Sequence, residues 1–135
     1  MNINDKTLQA LNAAVRFREM RHELITSNLA NSETPGYKAK VLDFEESLAR
    51  ALDVDGEQSL STSDPRHFKV GGGSIGQVAP EIYDNPNGDT SPDGNTVDPE
   101  SEIVNLNENK IMYDAAIQLM GKKMGLTKYI LGSEK

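Results

Sequence analysis

The sequence predicts a mainly α protein, with long N- and C-terminal helices packed as an antiparallel, coiled-coil-like pair around a loop-rich middle. Two observations carry this expectation. Apolar residues recur at threes and fours through both ends of the 135-residue chain, which is the spacing of a helix face. Turn-forming Pro, Gly and Asn pairs cluster between those ends. The expected parts are an N-terminal helix over 1–31, an acidic middle over 32–97 and a C-terminal helix over 98–135. Both helices belong to one assembly domain.

The first helix opens with Asn4 or Asp5 as its cap and runs to about Leu29, before Pro35-Gly36 ends any helical reading. Residues set at ~100° intervals give it two apolar stripes. Ala10, Ala13, Phe17, Met20 and Leu24 form one. Leu8, Leu11, Val15, Ile25 and Leu29 form the other, interrupted by Arg18 and His22.

The middle contributes one short helix over Asp43–Leu52, capped by Asp43, with Phe44, Leu48 and Leu52 on one side. Turn signals follow at Asp64-Pro65, Gly71–Gly73, Asn85–Gly88 and Ser91–Gly94. Phe68–Val70 and Glu81–Tyr83 read as short strands. A segment this polar is expected to be partly disordered outside an assembly.

For the last helix Asp98 is the cap, Pro99 suits the first position, and Glu100 and Glu102 favour its positive end. Ile103, Leu106, Tyr113, Ile117, Met120, Met124 and Leu131 recur close to a coiled-coil period. Val104, Ile111, Ala115, Leu119, Leu126 and Ile130 form a second stripe across the helix. Gly132 is a natural stop. Gly121 and Gly125, four apart, would let another backbone approach or soften the helix, or are simply tolerated.

A helix in a simple hairpin needs one apolar face, so two faces on each helix imply a second set of partners. Composition agrees. Only 36% of residues are hydrophobic and 5% aromatic, which predicts a thin core in need of outside support. There are no cysteines to supply disulfides or thiolate metal sites, so neighbouring subunits remain. The residues expected at an assembly interface are Phe17, Met20, Leu24, Ile25, Leu29, Leu106, Tyr113, Ile117, Met120 and Met124.

The charge of −7 is unevenly placed. Residues 1–50 carry seven basic and seven acidic side chains, residues 51–100 two against ten, and residues 101–135 five against four. Near-neutral ends can pack together while the middle is repelled towards solvent, and a basic face for nucleic acid is not expected. Met1–Lys6 lacks the features of a secretory signal, and no window is apolar enough to span a bilayer.

Little catalytic chemistry is on offer. Asp89–Glu100 places Asp89, Ser91, Asp93, Gly94, Asn95 and Glu100 at the ligand and turn positions of a calcium loop. It lacks the entering helix, and a turn leading into a helix cap explains the same residues; a small calcium-binding protein is the alternative of a different class. His22 and His67 lack metal-ligand spacing. There is no nucleophile elbow, phosphate loop or dinucleotide fingerprint. The expectation is a structural protein: no enzyme, no cofactor, no small-molecule substrate.

One motif is more specific. Ser27-Asn-Leu-Ala-Asn-Ser-Glu-Thr-Pro-Gly-Tyr-Lys38 resembles the signature of bacterial flagellar rod and hook proteins, in which an Asn-x-Ala-Asn segment ends the first helix and leads into a Thr-x-Gly-Tyr/Phe turn. Asn28, Ala30, Asn31, Thr34, Pro35, Gly36 and Tyr37 are the matching positions. Asp43-Phe44, Thr62 with His67, and Asp93-Gly94-Asn95-Thr96-Val97-Asp98 follow, then Asn109 and Tyr113. Together they look like the B-type proximal-rod subunits over nearly the whole chain. C-type rod subunits usually carry extra residues at the Thr-Pro turn and are the second choice. A secretion-needle axial protein would share the helical ends but not the Thr34–Tyr37 turn. Asp98-Pro99 stands where relatives often continue with an apolar residue.

The resemblance implies a subunit of the flagellar basal body that reaches the periplasmic side of the cell envelope through the flagellar type III export apparatus. It implies polymerisation with copies of itself and other rod subunits at the base of the hollow shaft. The inner-membrane ring and rod-base adaptor proteins are the implied neighbours there.

Overall fold

The computed structural model describes residues 5–53 and 75–132; the expected strand at 68–70, His67 and the 71–73 glycines lie outside them. Two helices dominate the described residues. Helix α1 spans Lys6–Ala30 and helix α3 spans Pro99–Gly132. Between them come strand β1 (Lys40–Asp43), helix α2 (Glu45–Asp53), a single 3-10 turn at Ile75–Gln77 and strand β2 (Glu81–Asp84).

Each long helix begins where the sequence offers a free carboxylate. Asp5 accepts the Thr7 N–H at 2.9 Å, and Asp98 accepts the Glu100 N–H at 3.1 Å and the Ser101 hydroxyl at 2.5 Å, satisfying donors that a helix start otherwise leaves open. Helix α1 ends at Asn31, whose N–H reaches the Ser27 and Asn28 carbonyls and whose side chain donates to Ser27 O at 2.8 Å.

The helices run antiparallel. Asp5 pairs with Lys123, Glu19 accepts from Tyr113, and Asn28 donates to Glu102. As one index rises the other falls.

The apolar core lies on the other side of α1. Ala13 and Phe17 pack with Leu42 and Phe44 at the end of β1, Leu48 of α2 and Ile75 of the 3-10 turn. The Phe17 and Phe44 rings are tilted, with centroids 5.2 Å apart. Full burial of a side chain of this size contributes about 1.5–3 kcal/mol, so Phe17→Ala would cost about 3–5 kcal/mol.

Arg21 secures this side by its charge. It donates to Leu42 O at 2.9 Å, grips both Glu45 oxygens at 2.6 and 2.7 Å, and lies 4.8 Å from the Phe44 ring centroid. A bidentate guanidinium–carboxylate pair is directional as well as attractive.

The cap expected at Asp43 is not a cap. Asp43 is the last residue of β1, opposite Glu81, and its carboxylate takes the Tyr83 hydroxyl. Phe44 instead leads into α2, its carbonyl accepting the Leu48 N–H at 2.9 Å. Strand β2 forms where the Glu81–Tyr83 strand was expected and pairs antiparallel with β1, Val41 facing Tyr83 and Leu42 facing Ile82.

Candidate assembly site

Helix α1 leaves at Ala30 and α3 arrives at Pro99, and the two connecting turns interlock. Gly36, at φ 72°, donates its N–H to Asp93 O at 2.9 Å. Gly94, at φ 84°, lies so close that a Cβ there would stand 3.5 Å from the Gly36 Cα. Both positions need a backbone conformation that side-chain-bearing residues resist.

Two buried amides bind this junction. The Asn95 side-chain nitrogen donates towards Asn31 O, Ser32 O and Thr34 O at 2.9, 3.1 and 2.8 Å, and its oxygen accepts the Val97 N–H at 2.7 Å. Asn28 is fully enclosed. It donates to Lys40 O and Glu102 Oε1, and accepts from the Lys40 N–H and Tyr37 hydroxyl. Two donors and two acceptors are all an asparagine side chain has. Thr96 completes the join by donating to Tyr37 O and accepting the Ala39 N–H. Removing any of these amides strands polar groups in a dry place.

The seam between the helices is narrower and more polar than the stripes suggested. Every half-buried or buried residue of α3 falls at alternating steps of four and three: Glu102, Leu106, Asn109, Tyr113, Ala116, Met120, Lys123 and Thr127. One row of this seam, Glu102, Asn109, Ala116 and Lys123, is polar or small. Burial raises the Glu102 carboxyl above its usual value, against the opposing pull of the Asn28 hydrogen bond. Hydrogen bonding from Lys123 holds Asp5 below its usual value.

Of the residues expected at an assembly interface, Phe17 and Ile25 are buried inside the subunit, Phe17 against Phe44. Leu24, Leu29, Leu106, Tyr113 and Met120 are half-buried. Met20, Ile117 and Met124 are exposed, by 36%, 42% and 55%. Both apolar stripes of α1 are therefore largely covered within the chain. Helix α3 differs. Ile103, Val104, Ile111, Leu119, Leu126, Ile130 and Leu131 are all exposed, far more apolar surface than an isolated helix face normally leaves in water.

The two motif segments meet as a unit, although neither was expected to touch the other. Asn28, Asn95 and Val97 are buried; Asn31, Tyr37 and Gly94 are half-buried; Ala30, Thr34, Pro35, Gly36, Asp93 and Asp98 are exposed. Sequence reasoning assigned both Asn28 and Asn31 to the end of α1. Asn31 acts there, whereas Asn28 crosses to β1 and α3.

The groups of the Asp89–Glu100 segment have other duties. Asp93 accepts the Asn95 N–H, Asn95 faces Asn31–Thr34, and Asp98 caps α3. Among the described residues no cluster of His, Asp and Glu has the arrangement of a metal site. His22 is exposed, and nothing lies within 4 Å of a Cβ placed at Gly121 or Gly125.

No family model matches the chain. Curated relatives do match, nearly end to end. The flagellar basal body rod protein FlgB of Cereibacter sphaeroides (strain ATCC 17029) is 39% identical over 122 residues, covering 88% of this chain and 89% of the relative. FlgB of Aeromonas hydrophila is 32% identical over 131 residues, 96% of each. FlgB of Salmonella typhimurium strain LT2 is 27% identical over 128 residues, 87% of this chain and 91% of the relative.

Proposed function

Because the chain belongs to the family of flagellar basal body rod proteins FlgB, we propose that this rod subunit polymerises through its terminal helices, with the outer face of α3 as the principal contact. One observation supports the reading above the rest: α1 spends both apolar stripes inside the subunit, while α3 leaves Val104, Ile111, Leu119 and Leu126 more than half exposed. Such a face is stable in water only when another surface covers it. Across the helix from that face, Ile117 and Met124 flank the seam with α1 and are also exposed.

The partners are copies of this chain and other rod subunits in the proximal part of the shaft, with the inner-membrane ring and adaptor proteins at its base. The subunit acts on the periplasmic side after type III export. It works without catalysis, cofactor or nucleic acid.

The test is complementation of a strain lacking the gene. A carboxylate buried in a subunit contact without a partner costs several kcal/mol, repeated in every copy. Ile111→Asp and Leu119→Asp, both on that outer face, should be made and exported yet leave no completed rod, while Asp89→Lys, on an exposed loop, is tolerated. Functional flagella from both helix variants would refute the assignment of this surface.

A further inference from the structure

We propose that the outer face of α3 pairs antiparallel with the same face of a second copy, about a two-fold axis at Ala115. The inference goes beyond the rod contact. It needs only that this face is bare, and it holds whether or not the same residues later meet other subunits. Val104, Ile111, Leu119 and Leu126 are 64%, 68%, 54% and 61% exposed, and Glu108, Ala115 and Lys122 are exposed among them. At ~100° per residue these seven fall within about 80° of the helix surface, one stripe. The stripe has the same spacing from either end. Steps of four, three and four residues lead from Ala115 back to Ile111, Glu108 and Val104, and forward to Leu119, Lys122 and Leu126.

Turned end for end about Ala115, the stripe therefore meets itself in kind. Ile111 comes level with Leu119 of the second copy, Val104 with its Leu126, and Glu108 with its Lys122. Two-fold symmetry makes every contact twice, so two ion pairs flank an apolar centre. Alanine at the axis lets the two helices approach closely. The charges also choose the direction. A parallel pair would set Glu108 beside Glu108 and Lys122 beside Lys122, which is repulsive. A slide of the antiparallel pair by one turn, three or four residues either way, puts both charges against uncharged residues. Among the described residues neither charge is spent already: Arg18 pairs with Glu45, Asp5 pairs with Lys123, and no salt bridge involves Glu108 or Lys122. Such a contact is closed, because each copy uses its whole outer face on the other. The pair is thus a resting form of the free subunit. It covers apolar surface that would otherwise stand in water, and it must part before that face can touch anything else.

The experiment uses the purified full chain with no rod present, so a failure here leaves the rod contact standing. Sedimentation equilibrium should show monomers in equilibrium with dimers. Glu108→Lys and Lys122→Glu should each weaken the dimer about tenfold, since each puts two like-charged contacts where two ion pairs stood. The two changes together should restore it. Both residues are exposed and lie off the seam with α1, so the fold is not at stake. The chain has no cysteine, which lets single ones report direction. On oxidation with copper phenanthroline, Val104→Cys and Leu126→Cys chains should form a disulfide-linked dimer when mixed. Neither should link alone, because copies of either residue stand ~33 Å apart in the antiparallel pair. A chain that stays monomeric up to its solubility limit, open-ended association in place of a dimer, a double reversal that restores nothing, or Val104→Cys linking to itself would each overturn the proposal.

Discussion

The side-chain nitrogen of Asn95 lies 2.8 Å from the carbonyl oxygen of Thr34, across 61 residues of chain. That hydrogen bond joins the turn after α1 to the turn before α3. Asn95→Leu keeps the volume but removes every bond the amide makes, leaving several carbonyls and the Val97 N–H without partners. The expected loss is roughly 2–4 kcal/mol, read as a lower urea midpoint at unchanged slope. Stability equal to the parent would mean that water replaces the amide at no cost.

The glycines separate two kinds of constraint. Nothing lies within 4 Å of a Cβ at Gly36, but its φ is 72°, so a substitution is resisted by the backbone alone. Gly36→Val should cost about 1–2 kcal/mol, and Gly36→Asn distinctly less. Gly121 is exposed inside α3 with an empty neighbourhood, and Gly121→Ala should stabilise the isolated subunit by about 0.5–1 kcal/mol. Thermal unfolding of the three variants checks the order. If Gly121→Ala also abolishes motility, another backbone approaches that helix in the rod.

Acid should loosen the contact between α1 and α2. Burial pushes the Glu45 carboxyl up, but hydrogen bonds from Arg21 and from backbone N–H groups outweigh it and bring it from 4.5 to about 2. The folded chain thus binds this proton less readily than the unfolded one. The stabilisation is complete above pH 4.5 and fades as pH falls towards 2. With the carboxylate half exposed, solvent screening leaves about 1 kcal/mol. Arg21→Met should flatten the fall of the urea midpoint over that interval; an unchanged pH profile would exclude this pair as its cause.

Calcium should not stabilise the protein. A ligand specific to the folded state raises the melting temperature, but Asp93, Asn95 and Asp98 are occupied by the junction and the start of α3. Calcium chloride should shift the transition no further than sodium chloride of equal ionic strength. A calcium-specific rise that Glu100→Gln removes would overturn this.

Much of the architecture was legible because its causes are local. Asp5 and Asp98 announce the helix starts, Asn31 and Pro35-Gly36 close α1, and the isoleucine and tyrosine of β2 mark a strand. Strand β1 was hidden. Lys40-Val-Leu-Asp43 is short, and only its pairing with residues 81–84 makes it a strand, so Asp43 was taken as the cap of the following helix. The seam was hidden for the opposite reason. An apolar pattern search passes over Glu102, Asn109 and Lys123 because they are polar, yet these residues face α1 while Ile103 and Met124 face water. Phe17 and Leu24 looked like one stripe, and they are; no local signal says that much of it is covered by the chain's own middle segment.

The interlocked turns also give the helix pair a mechanical character. At one end the two helices are riveted by the Asn28 and Asn95 amides; at the other, an ion pair between Asp5 and Lys123 ties them together. Such a pair behaves as a two-pronged fork. Prying the tips apart loads one fastening at a time, starting with the ion pair, whereas sliding one prong along the other strains Asn28–Glu102, Arg18–Asn109, Glu19–Tyr113 and Asp5–Lys123 together. The subunit is therefore compliant to splaying and stiff to shear along its length.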